Sequence, residues 1–254
     1  MSLDKKVKEY NELNAQLMEE WMLKHSVKEG VLGFAKDGIV SPSKWFILES
    51  NEEKILVLLK EAYDDLQRVW DEAKWIMHDH CMENCPDDCM TCRATGTTFN
   101  PISEWIGGIT GIESGSKKEY DNWLWTEGRS LDTYYKTRDE FLSRIAIMNI
   151  KKSNGTHTSS YEDLSSYALN DMDLLRKQII EVIKPTLIIC GGTYDLLRIV
   201  FPQLPALDNS LNGVATIDGM KIIAAYHPMA PIKGGNAVKY AQVLENYEKL
   251  INLK

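Results

Sequence analysis

Polar side chains that could take part in catalysis lie at or after three short aliphatic runs of the chain. Glu61 and Asp64 come after the first run, Asn149 lies near the end of the second, and His227 follows the last. A carboxylate can activate water, an amide can both donate and accept hydrogen bonds, and an imidazole can donate to a developing negative charge. These residue types therefore predict acid–base chemistry on a polar ligand.

The elements that must position these side chains are short strands that alternate with helices. Aliphatic runs of five or six residues are typical of strands that are covered on both faces. Four such runs occur: Ile55–Leu59, Ile145–Ile150, Thr186–Cys190 and Lys221–Ala225. The alternation predicts an α/β fold, namely a three-layer α/β/α sandwich with a central, mainly parallel, four-stranded sheet.

The segments between the runs complete this outline. Apolar residues at helical spacing over residues 66–77 predict the helix that covers the first strand, and the stretch Gly107–Lys118, rich in Gly, Ser and Lys, predicts a loop. We expect a single domain over residues 1–254, with a helical N-terminal extension over about residues 1–50 and a cysteine-rich insertion at residues 78–98.

Composition limits the classes of protein to consider. The start of the chain has no apolar signal-peptide core, and no stretch has the length needed to cross a bilayer, so we expect a cytoplasmic protein with no membrane partner. The net charge of −8, from 29 basic and 37 acidic residues, argues against a protein that coats polyanions. It leaves room for a DNA enzyme with a local basic groove.

The three polar clusters are expected to meet at one edge of the sheet. Ligands of open α/β sheets bind outside the carboxyl ends of the strands. Two simpler interpretations stay open: Glu61 and Asp64 could cap the following helix, and His227 could be a structural histidine.

Four segments, in chain order, resemble motifs of the uracil-DNA glycosylase superfamily, especially its smaller bacterial branches. Lys60–Asp64 is similar to the family's Gly-Glu-Ala-Pro-Gly motif, and Met148–Lys152 is similar to its asparagine-containing strand end. Lys184–Thr193 resembles the lysine-proline segment that leads through a strand to glycine, and His227–Ala230 resembles the His-Pro-Ser motif. The resemblance spans about residues 54–235.

The resemblance implies a monofunctional DNA glycosylase that hydrolyses the N-glycosidic bond of uracil or another modified base. Such an enzyme flips the nucleotide out of the stack into a pocket. By resemblance, Asn149 would bind the base edge and His227 the base oxygen that becomes anionic. Glu61, or Asp64 if the alignment shifts, would hold the water and stabilise the cationic sugar. The implied partner is DNA with a damaged or modified base, and the protein is expected to be a monomer.

Further residues could complete such a site. Phe99, Trp105 and Tyr63 are candidates for stacking against the base. Four residues could contact DNA phosphates: Lys151, Lys152, Lys233 and Gly234. Solvated surface lysines beside a loop are the alternative interpretation of that second set.

A cluster of four thiols within twelve residues predicts a metal site. Its members are Cys81, Cys85, Cys89 and Cys92. Disulfides are rare in the cytosol, so clustered thiols favour tetrahedral zinc or an iron–sulfur cluster, and the spacing does not decide between them. His78 or His80 could replace a thiol, and reduced free cysteines are the alternative. Cys190, within a predicted strand, is expected to be a small buried residue.

The chain also departs from the family motifs. Lys60, Tyr63 and Asp64 stand where the family has Gly, Pro and Gly, and Met229 stands where it has Ser. These departures and the acidic charge motivate a second hypothesis, a catalytically inactive, metal-stabilised nucleic-acid-binding or regulatory protein of the same fold. A third hypothesis is a nucleoside or nucleotide hydrolase, since a pocket for a flipped nucleotide is nearly a pocket for a free one.

Overall fold

The strands of the protein form one central sheet. The computed structural model describes residues 1–28, 31–63, 68–76, 90–115, 131–155 and 159–252. Within these ranges the sheet has eight strands, which are β1 Phe34–Lys36, β2 Gly38–Ile39, β3 Ile55–Tyr63, β4 Val69–Asp71, β5 Ala146–Gly155, β6 Leu187–Gly191, β7 Gly213–Ile217 and β8 Met220–Ala225.

Helices pack on both faces of this sheet. In the same ranges they are α1 Leu3–Lys24, α2 Pro42–Trp45, α3 Glu72–Ile76, α4 Met90–Glu113, α5 Leu131–Leu142, α6 Tyr161–Asn170, α7 Met172–Lys177 with a π-helical continuation Gln178–Ile183, α8 Tyr194–Val200 and α9 Gly235–Asn252. None of the helices in the described ranges combines the length and apolarity that crossing a bilayer requires.

The middle of the sheet is parallel. The strand order is β4-β1-β5-β3-β6-β8-β7, and β2 pairs with β5 beside this path. Strands β5, β3, β6 and β8 run parallel to one another, whereas β7 is antiparallel to β8, and both β1 and β2 are antiparallel to β5. The predicted three-layer fold is confirmed. The four predicted strands are its parallel centre, and the described sheet is wider than predicted because short strands extend it on both sides.

Side chains of the central strands alternate between two apolar cores. On β3, Leu56 and Leu58 pack against α1, α2 and α6 to α8, whereas Val57 and Leu59 pack against α3, α4, α5 and α9. Successive strand residues point to opposite faces of a sheet. The polar residues at the ends of these strands therefore also divide between the two faces.

The first 50 residues belong to the sandwich itself. Helix α1 begins after the cap residue Ser2 and buries Leu17, Met18 and Trp21 against the sheet. The same segment supplies β1 and β2, which pair with β5. Residues 1–50 are therefore not only helical, since they also contribute part of the sheet.

Two further segments differ from the sequence prediction. Residues 69–71 form strand β4, which pairs with β1, because Val69 and Trp70 suit a pleated surface. Among the described residues of the predicted helix, Glu72–Ile76 is the helical part. Helix α4 continues to Glu113 through the predicted loop. Its Gly108 faces Leu244 and the Tyr240 hydroxyl of α9 so closely that any side chain there would collide, so the glycine permits close packing of the two helices.

Candidate active site at the carboxyl ends of the parallel strands

His227 lies just beyond the end of β8 in a tight turn. The backbone N–H of Met229 donates to His227 Nδ1 over 3.2 Å, and Ala230 N–H donates to the His227 carbonyl over 2.8 Å. Burial lowers the pKa of His227 to about 4, and the charges of Lys60 and Lys239 act in the same direction. The imidazole is therefore neutral at pH 7, and because Nδ1 accepts a hydrogen bond, Nε2 carries the proton.

Lys60, on β3, is the neighbour that the sequence analysis did not assign to the site. A methyl group added to Gly192 would meet Lys60 Cε at 3.4 Å and His227 Cβ at 3.5 Å. Gly192 has a φ of +70°, which favours glycine, and its N–H donates to the Ala225 carbonyl over 2.7 Å. The ends of β3, β6 and β8 thus bring Lys60 and His227 together around a position without a side chain.

A buried lysine holds the turn that carries His227. Lys239, on α9, donates to the carbonyl of Pro228 and, over 3.2 Å, to the carbonyl of Ala230. Burial raises the pKa of Glu104 on α4 to about 7, although Lys239 opposes this shift, and one oxygen of that carboxyl has no hydrogen-bond partner among the described residues. The turn is therefore fixed from helix α9.

Glu61 points away from Lys60, as successive strand residues must. Its carboxylate lies 3.3 Å from Lys151 Nζ, which also contacts Asp163 over 2.7 Å. Burial alone would lower the pKa of Lys151, but these two carboxylates raise it above its usual value. Glu61 Oε1 is buried without a partner in the described part of the chain, and Gly155 leaves the space that its side chain fills. Glu61 is therefore engaged in an ion pair with Lys151, a contact that the sequence did not predict.

Asn149 is held at both its backbone and its side chain. Its N–H donates to Asp37 Oδ2 over 2.7 Å, and its Nδ2 donates to Glu72 Oε2 over 2.5 Å. The side-chain oxygen Oδ1 is buried and has no partner among the residues that the structure describes. One face of the amide is therefore fixed by Glu72, while its acceptor is uncommitted.

The groups that fix Asn149 form a buried polar network. Asp37 forms an ion pair with Lys152, with contacts of 2.6 and 2.7 Å, and accepts a hydrogen bond of 2.8 Å from Gln178. Burial raises the pKa of Glu72 to about 8, with Asp37 adding to the shift and Lys152 opposing it. Glu72 therefore keeps its proton at neutral pH. Sequence analysis missed Asp37 and Glu72 because neither follows an aliphatic run.

The aromatic candidates occupy different positions. Trp105 is fully buried in the core that α4 shares with the sheet, so its ring has no free face for a base. Phe99, near the middle of α4, is 6% exposed in the same core. Tyr63 ends β3, and the structure describes its backbone only. The stacking role expected of Trp105 does not fit its position.

The phosphate-binding candidates also divide. Lys152 is buried in the ion pair with Asp37, which does not fit the expected contact with DNA, and Lys151 is bound to Glu61 and Asp163. Lys233 and Gly234 are exposed directly before α9. Gly234 has a φ of +88°, and a side chain there would collide with Val238. Of the four candidates, Lys233 and Gly234 are the two that solvent reaches freely.

Several predicted residues lie outside the described ranges. They are Asp64, His78, His80, Cys81, Cys85 and Cys89, and for Cys92 only the backbone, in α4, is described. The metal site and its cofactor, zinc or an iron–sulfur cluster, stay predictions. Within the described residues no group of three or more His, Cys, Asp or Glu side chains could hold a metal ion. Cys190 is buried in β6, as predicted.

No family model, curated protein or solved structure matches this chain. Function must therefore be inferred from the chemistry of the site. The site groups a neutral imidazole, an ammonium group, a buried amide whose oxygen has no partner among the described residues, and a carboxylate. They lie on three of the four parallel strands: His227 just after β8, Lys60 and Glu61 on β3, and Asn149 within β5. The N–H and ammonium groups can stabilise negative charge on a ligand, and the carboxylate can stabilise positive charge.

Proposed function

We propose that the protein is a DNA glycosylase that hydrolyses the N-glycosidic bond of uracil or another modified base. The observation that carries the proposal is the state of His227. Its imidazole is neutral, its Nδ1 accepts from the Met229 N–H, and its Nε2–H is left as a donor. The four motifs that resemble the uracil-DNA glycosylase superfamily support the same function.

The reaction breaks the bond between C1′ and the base nitrogen. The electron pair leaves with the base, the oxygen of water bonds to C1′, and the proton of that water ends on the solvent or the base. Positive charge builds on the sugar and negative charge on a base oxygen. A fixed N–H donor at that oxygen, the role proposed for His227, contributes about 3 kcal/mol to the stabilisation of the transition state.

Asn149 and Glu61 have distinct roles in this proposal. The role proposed for Asn149 is to accept an N–H of the flipped base at Oδ1, which has no partner among the described residues, while its Nδ2 donates to Glu72. The role proposed for Glu61, which Lys151 holds, is to orient the attacking water with its carboxylate. Neighbouring strands lie about 4.8 Å apart, so Asn149 on β5 and His227 after β8 belong to strands separated by about 14 Å.

The test is cleavage of oligonucleotides that carry uracil, hypoxanthine or a bulky modified pyrimidine. Native protein is expected to leave abasic sites on at least one substrate, in single- or double-stranded form. His227→Ala is expected to lower the rate about 100-fold without a change in thermal unfolding. Cleavage of free nucleosides alone would make the protein a nucleoside hydrolase, and absence of any cleavage would favour the inactive binding protein.

A further inference from the structure

Lys60 differs from the other lysines near the carboxyl ends of the strands. Lys151 and Lys152 each contact a carboxylate, and Lys239 donates to two backbone carbonyls. Lys60 is half-buried and makes no ion pair or hydrogen bond with any residue that the structure describes. A half-buried cation without a counter-charge is costly unless a ligand supplies the missing charge.

The surroundings of Lys60 favour an anion as that ligand. Lys60 Cε and His227 Cβ both lie next to Gly192, and the neutral imidazole offers a second donor. The titratable or charged groups around His227 in the described residues are Lys60 on β3 and Lys239 on α9, with Glu104 of α4 near Lys239. This region is therefore locally positive, although the whole chain carries a net charge of −8.

We propose that Lys60 is a further catalytic residue, which binds the departing base as an anion beside His227. This inference rests on the proposed glycosylase function. When the C1′–N bond breaks, the electron pair stays on the base, and the ammonium group of Lys60 faces the oxygen on which that charge collects. No proton has to reach the base before it departs. Lys60 stands where the resembling family has glycine, so the departure adds a charge to the site.

The first experiment measures single-turnover cleavage by Lys60→Met and Lys60→Arg. Uracil and the more acidic 5-fluorouracil in the same oligonucleotide serve as leaving groups. Lys60→Met is expected to lower the uracil rate about 100-fold and the 5-fluorouracil rate less, because the better leaving group needs less help. Lys60→Arg is expected to retain most activity. An equal loss for both bases, or no loss, would contradict the proposal.

A second experiment does not depend on cleavage. Barbiturate is a pyrimidine that is anionic at neutral pH, and its binding can be compared with that of neutral uracil by calorimetry. Native protein is expected to bind barbiturate more tightly than uracil. In Lys60→Met the ratio of the two affinities is expected to fall at least about 10-fold. The matched control is Lys44→Met, which removes an exposed lysine from α2. Equal loss of preference in the control would overturn the assignment to Lys60.

A nuclear magnetic resonance titration of His227 completes the test. Lys60→Met is expected to raise the pKa of His227 above the value of about 4, since one of the two neighbouring charges that lower it is gone. An unchanged pKa would show that Lys60 does not face the imidazole. If barbiturate binding depends on Lys60 while no oligonucleotide is cleaved, the anion site stands and the glycosylase function fails.

Discussion

At the scale of single residues, protonation divides the site into two halves. His227 is kept neutral by burial and two ammonium groups, and Glu72 is kept neutral by burial in a network with Asp37 and Asn149. The first effect provides a hydrogen-bond donor near the expected leaving group. The second holds the amide of Asn149 without placing a second negative charge beside Asp37.

Glu72→Gln tests the second effect through the pH dependence of stability. The pKa of Glu72 is about 8 in the folded protein and 4.5 when unfolded, so between these values the folded state binds the extra proton. The free energy of unfolding of the native protein therefore falls as pH rises through this window. The free energy of unfolding of Glu72→Gln, minus that of the native protein, should therefore rise with pH by up to about 1.4 kcal/mol per pH unit. Urea unfolding at several pH values measures it.

The control for this measurement is Glu12→Gln, which alters an exposed carboxylate on α1. The same urea unfolding of this variant gives the effect of removing an exposed carboxylate from the surface. If Glu72→Gln behaves like this control, Glu72 is ionised in the folded protein. The role given to it beside Asn149 would then be wrong.

The sequence predicts a site residue when that residue lies in or next to a recognisable strand. It does not predict one that a distant segment of chain brings to the site. His227 follows an aliphatic run, whose end coincides with the end of its strand. Asn149 lies within such a run, but its strand β5 continues to Gly155. Asp37 contacts Asn149 across 112 positions of sequence and Glu72 contacts it across 77, and both come from short edge elements without periodicity. Lys60 could be seen as a departure from the motif, but its proximity to His227 depends on β6 lying between their strands.

At the scale of elements, the order of the four parallel strands creates the site. The aliphatic runs predict these strands well, because a strand covered on both faces must be apolar throughout. Strands β1, β2 and β4 have only two or three residues and leave no such pattern. Helix α9 adds a different function, because its Lys239 fixes the turn after β8.

Lys239→Met tests this connection between α9 and the turn. Loss of the ammonium group leaves the carbonyls of Pro228 and Ala230 without their donor, which should lower the free energy of unfolding by about 1–3 kcal/mol. It should also raise the pKa of His227, which nuclear magnetic resonance reports directly. Lys239→Arg should restore part of the free energy of unfolding and part of the lowered pKa of His227. A stable Lys239→Met variant with an unchanged His227 pKa would exclude a positioning role.

The cysteine-rich element gives a prediction that needs no substitution. If the four clustered thiols bind a metal, elemental analysis of freshly purified protein should find either about one zinc or about four irons per chain, and iron would colour the sample brown. A chelator that removes the metal should lower the melting temperature. Metal-free protein with four titratable thiols in this segment would support the alternative of reduced free cysteines.

At the scale of the whole molecule, the proposed function requires an acidic chain to bind an acidic polymer through few local contacts. The net charge is −8, and Lys152, expected on the surface, is buried with Asp37. Lys233 is exposed beside Gly234 at the start of α9. DNA affinity should therefore depend only weakly on salt, with a small number of phosphates neutralised.

Lys233→Ala should further reduce the dependence of DNA affinity on salt concentration. Each phosphate contact contributes a slope of about −0.9 to the logarithm of affinity against the logarithm of salt concentration, so the variant should lose about one unit of slope. Fluorescence anisotropy with a labelled duplex between about 50 and 200 mM salt measures it. Lys44→Ala, on the exposed surface of α2, is the control. Equal slopes for Lys233→Ala and native would remove Lys233 from the DNA contact.

The most direct test of glycosylase chemistry is one single-turnover assay on a uracil-containing oligonucleotide, with native protein and His227→Ala compared at pH 7. We expect native protein to produce abasic sites and the variant, equally stable, to do so about 100-fold more slowly. Equal rates for the two proteins, or no abasic product from native protein on this or any other modified base, would contradict the proposed role of His227 and the function built on it.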